Sequence, residues 1–329
     1  MKFDKRGALM EVNVSGMEIL FDRATMKFDK RGALMEVNVS GMEKIQGKVR
    51  DIYDLGDKIL IVVTDRLSAF DVIMDDGVPG KGKVLNSIST FWFRKLGHIC
   101  PTHLISADVK DYPAPFNEMP ELQGRSMLVR KLKVVPYECI VRGYLTGSGW
   151  AEYKKQGTVN GQQLREGYQN ASKLDEVLFT PTTKAAIGDH DMAVSVEEMT
   201  KDVGVELATK LRDLSIALYT EAAKHAESRG IILADTKFEF GLDEAGNVVL
   251  ADEALTPDSS RFWAKDTYAV GSNPPSMDKQ FVRDWLDAIN FNHQPPAPPL
   301  PDEVIAKTQA IYAECYTRLT EGEACAPVL

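Results

Sequence analysis

A short segment in the second half of the chain alternates charged and apolar side chains with a period of two. The segment Asp235–Gly241 reads DTKFEFG. Successive side chains of a strand point to opposite faces, so Asp235, Lys237 and Glu239 share one face, and a threonine and two phenylalanines share the other. The pattern therefore predicts a core strand that carries a charged face.

A turn follows this strand and returns the chain antiparallel to it. The turn Asp243–Asn247 reads DEAGN. A two-residue loop at Ala245-Gly246 places Glu239 directly opposite Asp252, with Cβ atoms about 4.5–5.5 Å apart. Two carboxylates at that separation repel each other unless a cation lies between them. Oxygen ligands on a rigid hairpin suit Mg²⁺ that completes its shell with waters and phosphates, so we expect Glu239 and Asp252 to hold Mg²⁺; the alternative is a solvated acidic face.

Arginines and glycines elsewhere in the chain are typical of phosphate binding. Arg261 follows the turn Thr256–Ser260, and Arg142 precedes Thr146–Gly149, where glycines let backbone N–H groups approach an anion. The segment Gly47–Arg50 (GKVR) is a second cationic loop that suits nucleotide phosphates. Together these features predict a Mg²⁺-dependent enzyme that handles phosphorylated or nucleotide ligands, but they do not define its reaction.

Other familiar motifs are incomplete. Gly77–Lys83 fits G-x-x-x-x-G-K, but Val84 stands where a P-loop has the Ser or Thr that binds Mg²⁺. The 5 histidines show no metal-ligand spacing, so we interpret them as structural or exposed residues.

The distribution of elements favours an α+β fold with antiparallel sheets. Apolar residues between Ser195 and Gly230 recur at helical spacing, and Ser195 with Glu198 forms a capping box; Gly204 is expected to break this helix. Lys58–Thr64 (KILIVVT) reads as a buried strand. Helices and strands mix without a regular βαβ order, which favours the α+β class.

The N-terminus contains an exact duplication, since Met1–Glu18 recurs unchanged at Met26–Glu43. Solenoid repeats diverge in sequence and need about three copies to bury a core. We therefore expect residues 1–41 to form a duplicated N-terminal extension outside the core fold.

Charge and cysteine content restrict partners and location. The net charge of −9 argues against nucleic acid and anionic membranes as partners. No apolar run approaches the about 20 residues of a membrane helix. The N-terminus lacks the apolar segment that is typical of a secretory signal peptide. The sequence indicates no particular oligomeric state. Reduced thiols and a cytoplasmic location are expected, because the 4 cysteines form no C-x-x-C pair; they are Cys100, Cys139, Cys315 and Cys325.

Two stretches resemble the signatures of the SAICAR synthetase family of purine biosynthesis. Val134–Ser148 (VVPYECIVRGYLTGS) is similar to the first signature, with Tyr137 in place of the usual aliphatic residue. Leu233–Gly241 (LADTKFEFG) matches the second in full. Residues 1–41 have no counterpart in the family. Further similarity is found in Gly47–Tyr53, Ser68–Asp71 and Asp252–Trp263.

This resemblance implies a fold and an activity. The fold would be similar to ATP-grasp proteins, with ATP between two α+β lobes: an N-terminal ATP-binding lobe at 42–135 and a C-terminal lobe at 136–329 with the Mg²⁺ and ribonucleotide sites. The reaction would join 5-amino-1-(5-phosphoribosyl)imidazole-4-carboxylate to L-aspartate, giving SAICAR, ADP and phosphate. ATP would be a co-substrate and Mg²⁺ a cofactor.

The resemblance also implies roles for individual residues. ATP would be bound by Gly47, Lys48, Val49, Arg50, Lys133, Val134, Val135 and Glu138. The ribonucleotide would be bound by Arg142, Ser148, Asp258, Ser260 and Arg261. Mg²⁺ would be held by Glu239 and Asp252. The catalytic residues would be Lys237, which stabilises the transferring charge, and Asp71, which meets aspartate or the imidazole.

Two other functions stay open at this stage. A small-molecule kinase would use the same lobes to phosphorylate a ribonucleotide and release it. A non-catalytic nucleotide-binding module would depend on the duplicated N-terminus. The complete charged set argues against a loss of catalysis; it comprises Lys48, Lys237, Glu239, Asp252 and Arg261.

Overall fold

The computed structural model describes residues 17–21, 24–184 and 192–320. The strands before residue 131 are β1 (Met17–Phe21), β2 (Ala24–Phe28), β3 (Leu34–Val39), β4 (Lys44–Gln46), β5 (Arg50–Asp54), β6 (Lys58–Val63), β7 (Ser68–Ala69), β8 (Val72–Ile73), β9 (Leu104–Ser106) and β10 (Ser126–Arg130). The later strands are β11 (Lys133–Leu145), β12 (Thr158–Val159), β13 (Gln162–Gln163), β14 (Ser172–Phe179), β15 (Thr182–Thr183), β16 (Ile231–Leu242), β17 (Val248–Ala251) and β18 (Ser260–Ala264). The α-helices are α1 (Lys81–Leu96), α2 (Gly147–Gln156), α3 (Val196–Val203), α4 (Val205–Ser228), α5 (Gln280–Ala288) and α6 (Asp302–Thr320).

Antiparallel strands form two principal sheets. The first has five strands in the order β4-β5-β6-β10-β9. The second follows the path β14-β11-β16-β17, with β15 paired to β11 and β18 paired to β16. Helices pack on these sheets without a regular βαβ order, which confirms the predicted α+β class with antiparallel sheets.

Strand β6 is buried on both faces, which explains its uninterrupted apolar sequence. Ile61 and Val63 face the large core that also contains α1 and α4. Leu60 and Val62 face a second cluster on the opposite side of the sheet. A strand with water on one face would alternate polar and apolar residues, so this run requires a cover on each side.

The second copy of the duplicated segment supplies part of that cover. Strands β2 and β3 pair with each other and form a three-stranded sheet with β1. Met26, Leu34 and Val37 are no more than 1% exposed, and they pack in the same cluster as Leu60 and Val62. The expectation that residues 1–41 lie outside the core fold is therefore wrong for residues 24–41.

Hydrogen bonds fasten the same copy to the first principal sheet. The Val37 N–H donates to Asp51 Oδ2 at 2.8 Å, and the Leu34 N–H donates to Asp65 Oδ2 at 2.9 Å. Both carboxylates are buried, so each would cost free energy if it lost its donor. The first copy lies outside the described residues as far as residue 16.

The predicted helix between Ser195 and Gly230 is present as α3 and α4. Ser195 and Glu198 form the predicted capping box. The helix is interrupted at Gly204, where φ is 86°. An apolar stripe of α4, including Leu211 and Leu218, packs in the large core against β16. The predicted buried strand Lys58–Thr64 is also confirmed as β6.

The predicted lobe boundary falls close to a change of sheet. Every strand of the first principal sheet ends by Arg130, and the second begins at Lys133. The division into lobes at 42–135 and 136–329 stays a prediction. Helix α6 of the second range packs on α1 of the first, so the two ranges are in contact. Within the described ranges no helix is long and apolar enough to cross a membrane.

Candidate active site

The charged face of β16 is present as predicted. Phe238 and Phe240 are fully buried in the large core, whereas Asp235, Lys237 and Glu239 point the other way and bind charged partners. A β-bulge before Asp235 shifts the register against β18. Such a bulge redirects the side chains that follow it. Here it separates the apolar start of the strand, Ile231–Ala234, from the charged face that begins at Asp235.

The predicted register of the next hairpin is wrong by one residue. Glu239 pairs with Ala251, not with Asp252. The loop has three residues, because the Asp243 N–H donates to the Asn247 carbonyl at 3.0 Å. The Asp243 carboxylate accepts from the Asn247 N–H at 2.8 Å, and Gly246 adopts a φ of 80°. A side-chain cap and a left-handed glycine together favour the longer turn.

Asp252 nevertheless lies in the same charged cluster as Glu239. It has a φ of 61°, which is uncommon for a residue other than glycine and turns the chain out of β17. Burial and the charge of Asp252 both raise the pKa of Glu239, in spite of Lys237 and Lys184. The two predicted metal ligands are therefore close enough to repel each other, although they are not a cross-strand pair.

Cations surround the two carboxylates. Lys184 and Lys237 both bind Glu239, and Lys237 lies 3.3 Å from it. Lys237 also binds Glu138, one of the residues predicted to bind ATP. Burial lowers the pKa of Lys237, but Glu239 and Glu138 outweigh that effect and raise it, so the ammonium stays charged.

Arg50 reaches this cluster from the first principal sheet. It binds Asp252, and its Nη2 lies 2.6 Å from Glu253 Oε1. Burial opposes the charge of Asp252, but Arg50 and Lys237 outweigh burial and lower the pKa of that carboxyl. The predicted ATP loop and the predicted metal ligands thus meet between the two sheets.

A second cluster holds the predicted phosphate-binding arginines. Arg142 and Arg261 both approach Asp235 Oδ2, at 3.5 Å and 2.6 Å. Arg142 also donates to the Ser148 hydroxyl at 3.2 Å. A Cβ on Gly147 would come within 2.9 Å of Arg261 Nη2, and Gly147 has a φ of 57°. The structure therefore brings three predicted ribonucleotide contacts together at the N-terminus of α2, where anions are favoured.

A cavity of about 750 Å³ opens beside this second cluster. Gly147, Trp150, Arg261 and Trp263 line it together with side chains of α5 and α6. This volume lies within the range of small-molecule sites.

The remaining predicted ATP residues differ in their surroundings. Lys48 lies 2.5 Å from Asp71, and both side chains are more than half exposed. The Val49 carbonyl accepts from Thr64 and so stays with the sheet. Lys133 and Val134 pair with β16 at the start of β11, and Val134 is 53% exposed, which is high for an apolar residue. Val135 is buried in the large core.

Asp258 and Ser260 contact protein groups. Asp258 binds Lys81 at 2.7 Å and accepts from the Tyr312 hydroxyl at 2.6 Å. Ser260 shares a 2.7 Å hydrogen bond with Thr236. These contacts fix the turn before Arg261, so a substrate contact by either residue remains a prediction.

Lys81 belongs to the G-x-x-x-x-G-K stretch that resembles a P-loop. Its side chain is fully buried at the start of α1, with Asp258 as its ion-pair partner. The stretch thus provides a structural cation. Lys184 is another cation that the sequence did not single out. Both partners are distant in sequence, 177 residues from Lys81 and 55 from Lys184, so no local signal indicates either pair.

We expect Lys81→Met to lower the free energy of unfolding by about 3–5 kcal/mol, because the buried Asp258 would lose its ion-pair partner. Urea denaturation of the variant and the wild type measures this loss. Lys83→Met, on the same helix but more exposed, is the control and should stay within about 0.5 kcal/mol. Equal losses in both variants would contradict a specific role of the Lys81–Asp258 pair.

The α+β fold and its two charged clusters are typical of an enzyme that acts on anionic substrates. Comparison with known proteins identifies the family. The SAICAR synthetase family matches residues 43–298, so the chain belongs to that family. The predicted family, and with it an enzyme of purine biosynthesis, is confirmed.

Curated relatives and a solved structure agree with this assignment. The phosphoribosylaminoimidazole-succinocarboxamide synthase of Neisseria meningitidis serogroup B is 56% identical over 276 residues, covering 84% of this chain and 96% of the relative. The enzyme of the same name from Geobacter sulfurreducens is 53% identical over 276 residues, covering 84% and 93%. The SAICAR synthase of Saccharomyces cerevisiae, solved in complex with SAICAR, has a TM-score of 0.80 and 40% identity, covering 88% of this chain and 99% of its own.

Proposed function

We propose that the chain joins 5-amino-1-(5-phosphoribosyl)imidazole-4-carboxylate to L-aspartate and uses ATP to drive the bond. The charged face of β16 carries this proposal. Asp235 lies with Arg142 and Arg261 at one end, and Glu239 lies with Lys237 at the other. Four residues of strand separate the two ends by about 13 Å, so one ribonucleotide can reach from a phosphate cradle to an activation site.

The chemistry needs ATP because a carboxylate is a poor electrophile. Transfer of the γ-phosphoryl group to a carboxylate oxygen gives an acyl phosphate and ADP. The aspartate amine then attacks the carbonyl carbon, the carbon–oxygen bond to phosphate breaks, and the amine loses a proton. Lys237, held between Glu138 and Glu239, would stabilise the negative charge that spreads over the transferring group.

Glu239 and Asp252 fit a Mg²⁺ ion. The pKa of Glu239 stays raised by burial and by Asp252 even with two lysines beside it, so a further cation there is favourable. Among the described residues no group of three or more acidic, His or Cys ligands converges. Mg²⁺ suits a pair of carboxylates such as Glu239 and Asp252, because it needs only one or two of them when phosphates and waters complete its shell. When bound, the ion would neutralise charge on the phosphates of ATP.

The nucleotide would lie between the loop Gly47–Arg50 and the start of β11. Lys48 is exposed enough to exchange Asp71 for a phosphate, and the exposed Val134 offers an apolar contact for adenine. Asp71 would then be released towards aspartate or the imidazole. Glu138, tied to Thr182 at 2.9 Å, would position Lys237 beside the site.

A coupled assay for ADP release tests this function. We expect ADP release to require the ribonucleotide, aspartate and ATP together, and SAICAR to form in equal amount. A kinase would release ADP without aspartate, and a binding module would release none.

We also propose a cytoplasmic location, because Cys100, Cys139 and Cys315 are free and buried, as a reducing compartment allows.

Arg142→Ala or Arg261→Ala should weaken binding of the ribonucleotide about ten- to hundredfold, because each removes a charge-assisted contact to phosphate. ATP binding should change much less. Calorimetric titration of each ligand measures the difference. Arg165→Ala is the control, since Arg165 is an exposed arginine that pairs with Asp175. Equal weakening for both ligands would argue against the phosphate assignment.

A further inference from the structure

Arg66 is a buried arginine directly behind the loop Gly47–Arg50. It is 3% exposed. Its Nε donates to the Lys48 carbonyl at 3.2 Å, and its Nη2 donates to the Gly47 carbonyl at 3.0 Å. Two consecutive carbonyl groups of the loop therefore point inward to one guanidinium group.

The same guanidinium is anchored on its other side. Nη2 also contacts Asp51 Oδ1 at 3.0 Å, and Nη1 donates to the Met35 carbonyl in β3. Asp51 is fully buried and in turn accepts from the Val37 N–H. Arg66 thus links the loop to β5 and to the N-terminal strand β3.

The direction of the loop carbonyls matters for an anionic ligand. A carbonyl oxygen that faces a phosphate repels it, whereas an N–H group attracts it. The Gly47 N–H closes the hairpin by donating to the Arg50 carbonyl at 2.8 Å. With the carbonyls of Gly47 and Lys48 directed to Arg66, the outer side of the loop is free of their negative ends.

We propose that Arg66 is a positioning residue for ATP: it holds the loop carbonyls away from the nucleotide phosphates and makes this geometry depend on β3. The inference rests on the proposed function, since it assumes that the loop covers ATP. Arg66 itself is too buried to touch the nucleotide. A lysine is a poor substitute, because one ammonium group does not reproduce the planar donors that bind four separate oxygens.

Arg66→Lys tests the proposal by separating the substrates. We expect KM for ATP to rise about tenfold, because that is the effect on affinity of losing one charge-assisted hydrogen bond. KM for the ribonucleotide and for aspartate should stay within about twofold. Arg125→Lys is the matched control, because Arg125 is also buried but pairs with Asp65, at 3.1 Å, instead of with the loop carbonyls. It should lower the melting temperature without changing KM for ATP.

Two further variants make the result decisive. Lys48→Ala should also raise KM for ATP. If Lys48→Ala does so and Arg66→Lys does not, the positioning role is wrong and the proposed function stands. If neither variant changes KM for ATP, the assignment of the loop to ATP fails. If Arg66→Lys does not fold, Asp51→Asn leaves the arginine in place but loosens it; a severalfold rise in KM for ATP supports the proposal, and an unchanged KM overturns it.

Discussion

Glu239→Gln should reduce kcat at least about a hundredfold, because loss of a charged group that acts at the transferring phosphate commonly costs that much. Glutamine keeps the size of the side chain, so the packing of β16 stays intact. The neutral amide binds Mg²⁺ poorly. It also no longer forms ion pairs with Lys184 and Lys237. Steady-state assays with saturating substrates measure the loss.

The same variant should be as stable as the wild type without Mg²⁺, or slightly more stable. The folded pKa of Glu239 is raised above its unfolded value, so protonation favours the folded state. Stability from this group is therefore lost as pH rises through its pKa, because the ionised carboxylate opposes folding. Glutamine removes that cost.

Thermal melting with and without Mg²⁺-ATP completes the test. The wild type should gain extra stability from Mg²⁺ in addition to that from ATP, and Glu239→Gln should lose the Mg²⁺-dependent part. Glu227→Gln is the control, since Glu227 is an exposed glutamate that pairs with Lys265 at 2.8 Å. Near-normal turnover with a wild-type Mg²⁺ response would place the metal elsewhere.

The sequence predicted the charged strand because both of its signals are local. The period-two alternation of Asp235–Gly241 and the apolar residues around it determine which side chains face the core. The capping box at Ser195 and the break at Gly204 are local in the same way. The register of the following hairpin was wrong, because one extra loop residue, favoured by the Asp243 side chain, shifts every cross-strand pair.

The partners of the site residues depend on tertiary contacts, which a single sequence does not show. Lys184 meets Glu239 and Arg50 meets Asp252 only after the two sheets come together. His103 is a similar case. The sequence leaves open whether it is structural or exposed; the structure buries it near Asp252, and burial lowers its pKa to about 4. Its ring is therefore neutral in the folded protein at physiological pH.

The error at the N-terminus has a different cause. Exact duplication suggested that both copies were dispensable, and the family signatures begin only after them. The opposing signal was present in β6, whose uninterrupted apolar residues required a cover on both faces. Residues 24–39 supply that cover, so the second copy is part of the core fold.

Deletion of residues 1–41 should therefore unfold the protein. Met26, Leu34, Val37 and Val39 are each at most 5% exposed. Burial of such a side chain contributes about 1.5–3 kcal/mol, so their loss alone removes about 6–12 kcal/mol, as much as the whole stability of a typical domain. Deletion of residues 1–23 leaves these four side chains in place and should cost far less. Circular dichroism and melting of the two shortened chains compare them.

A pair of point variants tests the same conclusion in the full chain. Val37 is fully buried in β3, whereas Val270 is 52% exposed. Val37→Asp would place an unpaired charge in a fully buried position and should destabilise the protein by several kcal/mol, because a buried charge needs a partner. Val270→Asp, at the exposed position, is the control and should leave the melting temperature nearly unchanged. If Val37→Asp were no more harmful than Val270→Asp, the core role of residues 24–41 would be wrong.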